Sequence, residues 1–242
     1  MKVELFIPCF IDQLYPQTAF NTVKILEKAG CEVIYNAKQT CCGQPAYNAG
    51  YWEEAKEVGA KFLNDFSTQN YIVSPSASCV GMVKSSYNDL FTNSMVHNTC
   101  RSIQANIFEL SDFLINVLKK DYFGAELEGK AVYHDSCSAL RECKIKNEPR
   151  QLIEKVHGLE LVEMAETETC CGFGGTFAVK FDSISSAMAE QKVNHALAQD
   201  ADFIISTDIS CLLHLDGYIK KKNLPIKTMH LADVLANGWL EF

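Results

Sequence analysis

Cysteines are the residues in this sequence most able to do chemistry. The chain of 242 residues has eleven of them, and two adjacent pairs are each followed by glycine. Neighbouring cysteines cannot easily form a relaxed disulfide with each other, and a chain of this length is unlike the small secreted domains that disulfides stabilise. In a reducing compartment, many cysteines more often indicate metal ligation or redox chemistry.

Eight of the eleven cysteines belong to a pattern that occurs twice. The spacing is C-x31-CCG-x35-C from Cys9 to Cys79 and C-x32-CCG-x38-C from Cys137 to Cys211. The segment ELSDFL at 109–114 likewise corresponds to HLADVL at 230–235. Matches in the same register indicate an internal duplication. The predicted metal and cofactor ligands are Cys9, Cys41, Cys42, Cys79, Cys137, Cys170, Cys171 and Cys211.

Four thiolates that meet in one place could bind several kinds of metal centre. Thiolates select zinc, copper(I) or iron–sulfur clusters, and four cysteines typically hold an iron–sulfur cluster. Structural zinc more often uses C-x2-C pairs, because two successive side chains rarely both reach one tetrahedral ion. A multi-iron cluster offers several atoms to neighbouring cysteines. The pattern therefore favours one or two iron–sulfur clusters of the [4Fe–4S] type, with zinc as the alternative.

Two interpretations without metal are also open. Dithiol redox chemistry at the adjacent pairs would need an exposed thiolate of lowered pKa and a resolving partner, and it does not explain four repeated cysteines per half. Burial as a small hydrophobic residue is an alternative for any free cysteine. It is the preferred interpretation for Cys31, Cys100 and Cys143, which have no counterpart in the other half.

Alternating strands and helices must position these cysteines. In the first half, strands are predicted at 3–8, 32–35, 71–74 and 106–108, and helices at 16–29, 51–66, 79–91 and 110–120. In the second, strands are predicted at 130–134, 159–162, 202–206 and 226–229, and helices at 148–157, 183–199, 210–222 and 231–237. Such alternation is typical of parallel sheets flanked by helices. The predicted fold is α/β, with two pseudo-symmetric units at 1–124 and 130–242 and a linker at 124–129.

On this scaffold the repeated cysteines follow strands. Cys9, Cys79, Cys137 and Cys211 each lie where a predicted strand gives way to a helix, and both CCG triplets follow the second strand of their half. Ligands of open α/β sheets collect beside the carboxyl ends of the strands. The eight cysteines are therefore expected to converge there as two groups of four.

His134 and Arg141 are candidate catalytic residues near the second group. His134 could transfer a proton when electrons move, or it could hydrogen bond to a loop carbonyl. Arg141 could stabilise a cluster's negative charge or bind a carboxylate ligand, or it could be a solvated helix charge. Because the first half has Phe6 and Pro8 in the corresponding segment, the second site is the better candidate for substrate or partner chemistry.

Composition excludes several classes of function. The net charge of −8 does not favour a nucleic acid or an anionic membrane as partner. The N-terminal segment lacks the pattern of a signal peptide, and no apolar run is long enough for a spanning helix, so we expect a cytoplasmic protein. The sequence has no GxGxxG, P-loop or Ser–His–Asp signature, and no nucleotide site is predicted.

The doubled cysteine pattern resembles the CCG-type cysteine-rich domain found in heterodisulfide reductases and in glycolate- and glycerol-phosphate-oxidising complexes. The segments PSASCVGM (75–82), YHDSCSALRE (133–142) and CCGFGGTFAVK (170–180) extend the resemblance over nearly the whole chain, to the two-domain lactate utilisation members of that family. The resemblance implies an iron–sulfur electron-transfer subunit of a multi-protein complex that oxidises L-lactate to pyruvate, without activity alone.

The same resemblance implies two partners, a ferredoxin-like iron–sulfur subunit and a third small subunit of the lactate utilisation system. One alternative keeps the clusters and changes the substrate to glycolate or a disulfide. The other is a zinc-binding structural or docking subunit.

The sequence departs from the fuller family pattern at one point. That pattern ends in CxxC and gives five cysteines per site, as in a non-cubane cluster. Here Ser76 and Asp208 occupy the first of these two positions, or else Met82 and His214 occupy the second. An ordinary four-cysteine cluster is therefore better supported, with Asp208 and His214 as outside candidates for ligation.

Overall fold

Two four-stranded parallel sheets form the framework of the protein. The computed structural model describes residues 1–92 and 94–239. The strand order is β2-β1-β3-β4 in the first sheet and β6-β5-β7-β8 in the second, and every neighbouring pair is parallel. The strands are β1 (Lys2–Leu5), β2 (Glu32–Tyr35), β3 (Tyr71–Ser74), β4 (Ile107–Glu109), β5 (Glu126–Tyr133), β6 (His157–Val162), β7 (Phe203–Ser206) and β8 (Lys227–His230).

Helices connect the strands in both halves. In the first half they are α1 (Cys9–Leu14), α2 (Pro16–Lys28), α3 (Gln44–Asn48), α4 (Trp52–Asp65), α5 (Ala77–Gly81), α6 (Tyr87–Leu90), α7 (Ser94–Asn106) and α8 (Leu110–Asp112). In the second they are α9 (Glu148–Ile153), α10 (Thr176–Lys180), α11 (Asp182–Leu197), α12 (Ile209–Lys222) and α13 (Leu231–Leu235). Within the described part of the chain, no helix is both long and apolar enough to cross a bilayer.

The predicted α/β fold with two similar units is confirmed, because both sheets have the same strand order. Parallel sheets need helical crossovers on their faces, and their strands are mostly buried. Accordingly, Val3, Leu5, Ile204 and Ile205 in the central strands have 1% exposure or less. The repeated pattern of the sequence is therefore a repeat of the whole four-stranded unit.

The predicted linker at 124–129 is wrong for four of its six residues, because β5 begins at Glu126. Glu126 pairs with His157 of β6, and the register shifts between Glu126 and Gly129. Gly129 adopts φ 137° there. The segment is rich in charge and glycine because it is the irregular outer end of a strand, and this composition resembles that of a loop.

Helix boundaries differ from the predictions where local geometry interrupts the helical period. The predicted helix at 79–91 is divided into α5, a π-helical turn at Met82–Ser86, and α6. Two further π-helical turns lie at Phe113–Val117 and Ala139–Cys143. Four helices were not predicted, because each is short or carries few apolar residues; they are α1, α3, α7 and α10.

Three clusters of buried apolar residues hold the elements together. One lies between the two sheets and includes Val3 and Leu5 of β1 with Ala131 and Tyr133 of β5. The other two lie on the outer sides. One consists mainly of residues of the first half and also contains Ala139, Cys143 and Ile145 of the second, and the other lies within the second half. The first outer cluster includes Cys42 and Cys79, and the second includes Cys171 and Cys211. Each set of repeated cysteines is thus anchored in its own outer core.

Polar contacts also join the two halves. Asp233 of α13 accepts hydrogen bonds from Thr18 Oγ1 and Asn21 Nδ2 of α2, both at 2.8 Å. Asn116 Nδ2 donates to Glu148 Oε1 of α9 at 3.0 Å. α2 and α9 are the corresponding helices of the two halves, so each half packs its helix against the last segment of the other, as a pseudo-two-fold arrangement requires.

Candidate metal centre

The strand order places one cysteine on each side of a crevice. In a sheet of order β2-β1-β3-β4, the chain passes from β1 to β2 on one side of β1 and then to β3 on its other side. The strand order reverses between β1 and β3, and ligands usually bind in the crevice at the carboxyl ends of two such strands. Cys9 follows β1 and Cys79 follows β3. In the second sheet Cys137 follows β5 and Cys211 follows β7.

The first cysteine quartet (Cys9, Cys41, Cys42 and Cys79) converges beside β1 and β3. The Sγ atoms of Cys9 and Cys41 are 3.9 Å apart. Cys42 lies close enough to Cys41 and to Cys79 for these thiols to shift its pKa. Cys42 and Cys79 are buried, whereas Cys9 and Cys41 are half-buried. The quartet therefore has an inner pair and an outer pair that reaches toward solvent.

The second cysteine quartet (Cys137, Cys170, Cys171 and Cys211) repeats this arrangement. Cys137 lies close enough to Cys170, and Cys171 close enough to Cys170 and Cys211, for these thiols to shift one another's pKa values. Cys171 and Cys211 are buried, and Cys137 and Cys170 are half-buried. The structure thus brings together all four cysteines that the repeat predicted for each half.

Because the thiols lie close together, their pKa values shift in opposite directions. Hydrogen bonds from Cys42 and Cys9 lower the pKa of Cys41 to about 3. Hydrogen bonds from Cys137 and Cys171 lower the pKa of Cys170 to about 2. The same hydrogen bonds raise the pKa of the partners, since Cys9 and Cys42 in the first quartet both have pKa values above the ordinary thiol value.

Each quartet therefore holds one thiol of lowered pKa beside thiols of raised pKa, which are Cys9 and Cys42 in the first half and Cys137 and Cys171 in the second. Four thiolates at this separation repel one another, and metal binding supplies the positive charge that lets all of them lose their protons. Such a donor set is suited to a metal or a cluster of metals.

Glycine in each CCG triplet allows the loop to fold closely over the quartet. Gly43 has φ 86° and Gly172 has φ 96°, both in the region that favours glycine. A Cβ atom at Gly172 would lie 2.6 Å from the carbonyl oxygen of Ser185, and one at Gly43 would lie 3.0 Å from that of Ala55. The backbone N–H groups of these glycines donate to the Sγ atoms of Cys41 (3.3 Å) and Cys170 (3.4 Å).

His134 lies against the inner cysteines of the second quartet. One of its ring nitrogens is within 4.8 Å of the sulfurs of both Cys171 and Cys211. Its side chain is fully buried, and burial lowers its pKa to about 3, so the imidazole is neutral. Among the described residues, neither ring nitrogen has a hydrogen-bond partner. The hydrogen bond to a loop carbonyl that the sequence also allowed is therefore not found within residues 1–92 and 94–239.

The remaining candidates have other surroundings. Arg141 is exposed on the π-helical turn 139–143. Asp208 accepts hydrogen bonds from the backbone N–H groups of Ser78 (2.9 Å) and Ser210 (3.3 Å), so it caps α5 of one half and α12 of the other. His214 Nε2 lies 3.1 Å from Ser185 Oγ.

The two other positions that could have added a fifth ligand, Ser76 and Met82, are both buried. Ser76 Oγ lies 3.3 Å from Ser78 Oγ, and Met82 lies in the first outer core. The three cysteines without counterparts are buried among apolar residues, as predicted for Cys31, Cys100 and Cys143.

Sequence reasoning missed two charged groups near the second quartet. Lys192 of α11 is 1% exposed, and its Nζ donates to the carbonyl oxygens of Glu166 (2.5 Å) and Thr167 (3.2 Å). It occurs on the buried face of α11 with Ala189 and Val193. A lysine within an apolar stripe is the signal that could have found it.

The second missed group is the ion pair of Arg150 with Asp135. Both guanidinium NH groups of Arg150 donate to the Asp135 carboxylate, at 2.9 and 2.8 Å. Arg150 also bonds to Glu163, and its guanidinium lies over the ring of Tyr133. This pair fixes the segment between β5 and Cys137. The first half instead uses Gln39, which accepts from the N–H of Ile7 at 2.8 Å.

Comparison with known proteins identifies relatives of the whole chain. The family described as Cysteine-rich domain (CCG) matches twice, at residues 3–84 and 131–216. A protein named Lactate utilization protein A from Halalkalibacterium halodurans is 46% identical over 236 residues, which cover 97% of this chain and 96% of that relative. The protein of the same name from Geobacillus kaustophilus is 43% identical over 235 residues, covering 97% and 98%.

A third relative is Lactate utilization protein A 2 from Bacillus cereus strain 03BB102, at 42% identity over 239 residues, covering 98% of this chain and 99% of that relative. Among solved structures, a hypothetical protein from Helicobacter pylori superposes with a TM-score of 0.69 at 15% identity. The match covers 99% of this chain but 49% of the Helicobacter chain. At that identity the likeness concerns the fold alone.

Proposed function

This chain belongs to the cysteine-rich domain (CCG) family and carries two copies of the domain, and from this premise we propose that it is an iron–sulfur subunit of a system that oxidises L-lactate. In this proposal each quartet holds one cluster, with Cys9, Cys41, Cys42 and Cys79 as ligands in the first half. Cys137, Cys170, Cys171 and Cys211 are the ligands in the second. The protein acts in the cytoplasm and transfers electrons without dehydrogenase activity of its own.

The observation that carries the proposal is the spread of the sulfurs. A tetrahedral zinc site with Zn–S bonds of about 2.3 Å places its sulfurs about 3.8 Å apart. Across residues 1–92 and 94–239, His134, Cys171 and Cys211 form the one group of three whose ligand atoms all lie within 4.8 Å of one another. Cys9 and Cys41 by themselves are as close as two zinc ligands, but within this described part of the chain no three sulfurs of either quartet lie within 4.8 Å of one another, and this spread favours a multi-iron cluster over a single ion.

The remainder of each site supports the same proposal. An iron–sulfur cluster, when bound, accepts and releases single electrons. The protein contributes buried inner cysteines that exclude water and half-buried outer cysteines that bring the site near the surface. Backbone N–H groups of Gly43 and Gly172 donate to sulfur, and such hydrogen bonds tune the potential of a cluster.

The substrate part of the proposal is supported by the relatives. Proteins named Lactate utilization protein A match this chain over nearly its full length. Because the proposed clusters carry electrons and the chain shows no nucleotide-binding motif, the proposal needs partners. We infer a ferredoxin-like iron–sulfur subunit and a third small subunit.

Zinc in the second half is the second candidate, and one observation favours it. His134, Cys171 and Cys211 are close enough to share a single ion, and zinc commonly takes mixed histidine and cysteine ligands. In this alternative the protein would dock partners without transferring electrons.

Metal analysis of anaerobically purified protein separates the two. The proposal predicts about four irons and four sulfides per quartet, with an EPR signal that appears on reduction. Zinc without sulfide would contradict it.

The substrate is tested separately by deleting the gene. We expect loss of growth on L-lactate that the wild-type gene restores, with growth on glycolate unchanged, and normal growth on L-lactate would refute the lactate role.

A further inference from the structure

His134 is a buried polar side chain that the fold does not require at its position. Its counterpart in the repeat is Phe6, which is equally buried and packs edge-on against Phe62 and Phe66, with ring centroids 4.9 and 5.6 Å away. An aromatic hydrocarbon therefore satisfies the same place in the first half. In the second half an imidazole occupies it and leaves both ring nitrogens without a hydrogen bond among the described residues.

An unpaired imidazole in a protein interior costs free energy, because it has lost its hydrogen bonds to water. Such a group in a native structure calls for an explanation, and an absent ion is one of the common ones. The backbone on either side of the ring is well held. The N–H of His134 donates to the carbonyl oxygen of Ile205 at 2.8 Å, and its own carbonyl oxygen accepts from Ser206 Oγ at 3.0 Å. The backbone that carries the ring is therefore held by β7, and the ring itself has no hydrogen bond among the described residues.

The nearest chemical groups to the ring are potential co-ligands. A ring nitrogen lies within 4.8 Å of the sulfurs of Cys171 and Cys211, the two inner members of the second cysteine quartet. Imidazole binds zinc, copper, iron and nickel. Histidine also replaces cysteine on one iron of Rieske-type clusters and raises their potential.

We propose that His134 is a ligand of the metal centre in the second half, together with the second cysteine quartet. The inference rests on the proposed iron–sulfur function and goes beyond it. The two sites then differ in kind, since the first has sulfur donors alone and the second has sulfur donors and one nitrogen. His134 is accordingly a ligand, and its role as the proton carrier that the sequence suggested is not needed to explain its place.

Nitrogen hyperfine spectroscopy tests this ligation directly. Reduced, anaerobically purified protein is prepared with natural histidine and with [15N]histidine. We expect strong electron–nuclear coupling of a directly bound nitrogen in the first sample and its replacement by 15N coupling in the second. A reduced cluster without strong histidine coupling would overturn the inference and leave the proposed function intact. Protein without iron and sulfide would overturn the proposed function instead.

Three variants identify the histidine. His134→Phe installs the residue of the first site and should abolish the coupling. His134→Cys offers a thiolate and should keep the iron while the nitrogen signal disappears. His214→Gln is the matched control, because His214 lies near the same loop but bonds to Ser185, and it should keep the coupling. Strong coupling that survives in His134→Phe, or that is lost in His214→Gln alone, would refute the assignment to His134.

Discussion

The two halves of the protein share a cysteine skeleton but differ in what lies behind it. Behind the first quartet, Phe6 packs against Phe62 of α4. Behind the second, His134 takes the place of Phe6, and Lys192 lies in α11 at the position that Phe62 takes in α4, counted from the helix starts. The first quartet is therefore backed by the aromatic side chains of Phe6 and Phe62, and the second by the imidazole of His134 and the amine of Lys192.

This difference shows which properties the duplication fixes and which it leaves free. Strand order and the CCG turns determine where the sulfurs lie, and both are the same in the two halves. The residues that differ are Phe6 and His134 at the strand ends and Phe62 and Lys192 on the helices. They leave the positions of the sulfurs unchanged, but they change the charge beside the sulfurs and the type of ligand atom available. The sites can thus differ in reduction potential while keeping the same framework.

Removing the adjacent cysteines of one half should have the largest effect. In the replacement of both Cys41 and Cys42 by alanine, the first site should lose its metal, and the total iron should fall by about half. The corresponding change at Cys170 and Cys171 should remove the other half. Iron analysis and EPR of anaerobic protein measure the loss.

Controls for this prediction are the cysteines without counterparts. Cys31→Ala and Cys100→Ala remove thiols that are buried among apolar residues, and both should retain the full iron content. If either double variant lost all of the iron, the two quartets would have to share one centre, and the comparison of two independent sites would fail.

The next largest effect is expected at the ion pair behind Cys137. Arg150→Ala leaves the Asp135 carboxylate buried and unpaired, and removal of one partner from such a pair costs about 3–5 kcal/mol. Gln39→Ala, which removes the neutral contact at the corresponding place in the first half, should cost about 1–2 kcal/mol. Urea unfolding of the metal-free, reduced protein compares the two. Equal losses would show that the charged pair has no special role.

A third contrast lies at the ends of β4 and β8, where Glu109 and His230 correspond. Burial raises the pKa of Glu109 from 4.5 to about 8. The folded protein therefore binds more protons than the unfolded chain between these values, and the free energy of unfolding should fall as the pH rises from about 4.5 to about 8, by about 1.4 kcal/mol per pH unit.

His230 should have the opposite effect. Burial lowers its pKa below 6.5, and its unprotonated Nδ1 accepts the N–H of Ala232 at 3.1 Å while Nε2 donates to the carbonyl of Pro75 in the other half. The free energy of unfolding should therefore fall as the pH drops below about 6.5. Subtraction of the Glu109→Gln and His230→Gln pH profiles from that of the wild type isolates each slope. Slopes of the same sign would contradict the assignment.

The smallest effect is expected on potential. The Lys192 ammonium lies close enough to Cys171 and Cys170 for electrostatic interaction, and a nearby positive charge favours the reduced state of a cluster. Lys192→Met should lower the potential of the second site by tens of millivolts, about 59 mV being a factor of ten for one electron. Lys180 is an exposed lysine at the end of α10, the helix that follows the second CCG triplet. Lys180→Met should leave the potential of the second site unchanged. A redox titration followed by EPR decides.

The cysteine skeleton could be predicted from the sequence because it repeats. A pattern such as C-x31-CCG-x35-C has a counterpart within the chain, and the strands that precede Cys9 and Cys79 have apolar residues in a recognisable run. The ends of parallel strands then meet by topology. The grouping of four sulfurs can therefore be predicted from the repeated cysteine spacing, the apolar strands before the cysteines, and the rule that ligands bind at the carboxyl ends of parallel strands.

The walls behind the sulfurs could not be predicted in the same way. Asp208 has the form of an ordinary helix cap, yet it also bonds to Ser78, 130 residues away. Arg150 looks like a surface residue until Asp135 and Tyr133 are placed beside it. These contacts depend on how the two halves pack, and the sequence carries no local periodicity that reports them.

The central claim is that each quartet of sulfurs surrounds its own iron–sulfur centre. Crystals of protein purified without oxygen, measured on both sides of the iron absorption edge, test it most directly. The account predicts two peaks of anomalous density, one among Cys9, Cys41, Cys42 and Cys79 and one in the second quartet, with the second peak in bonding contact with His134. Density that instead responds at the zinc edge, or a single iron peak outside both quartets, would contradict it.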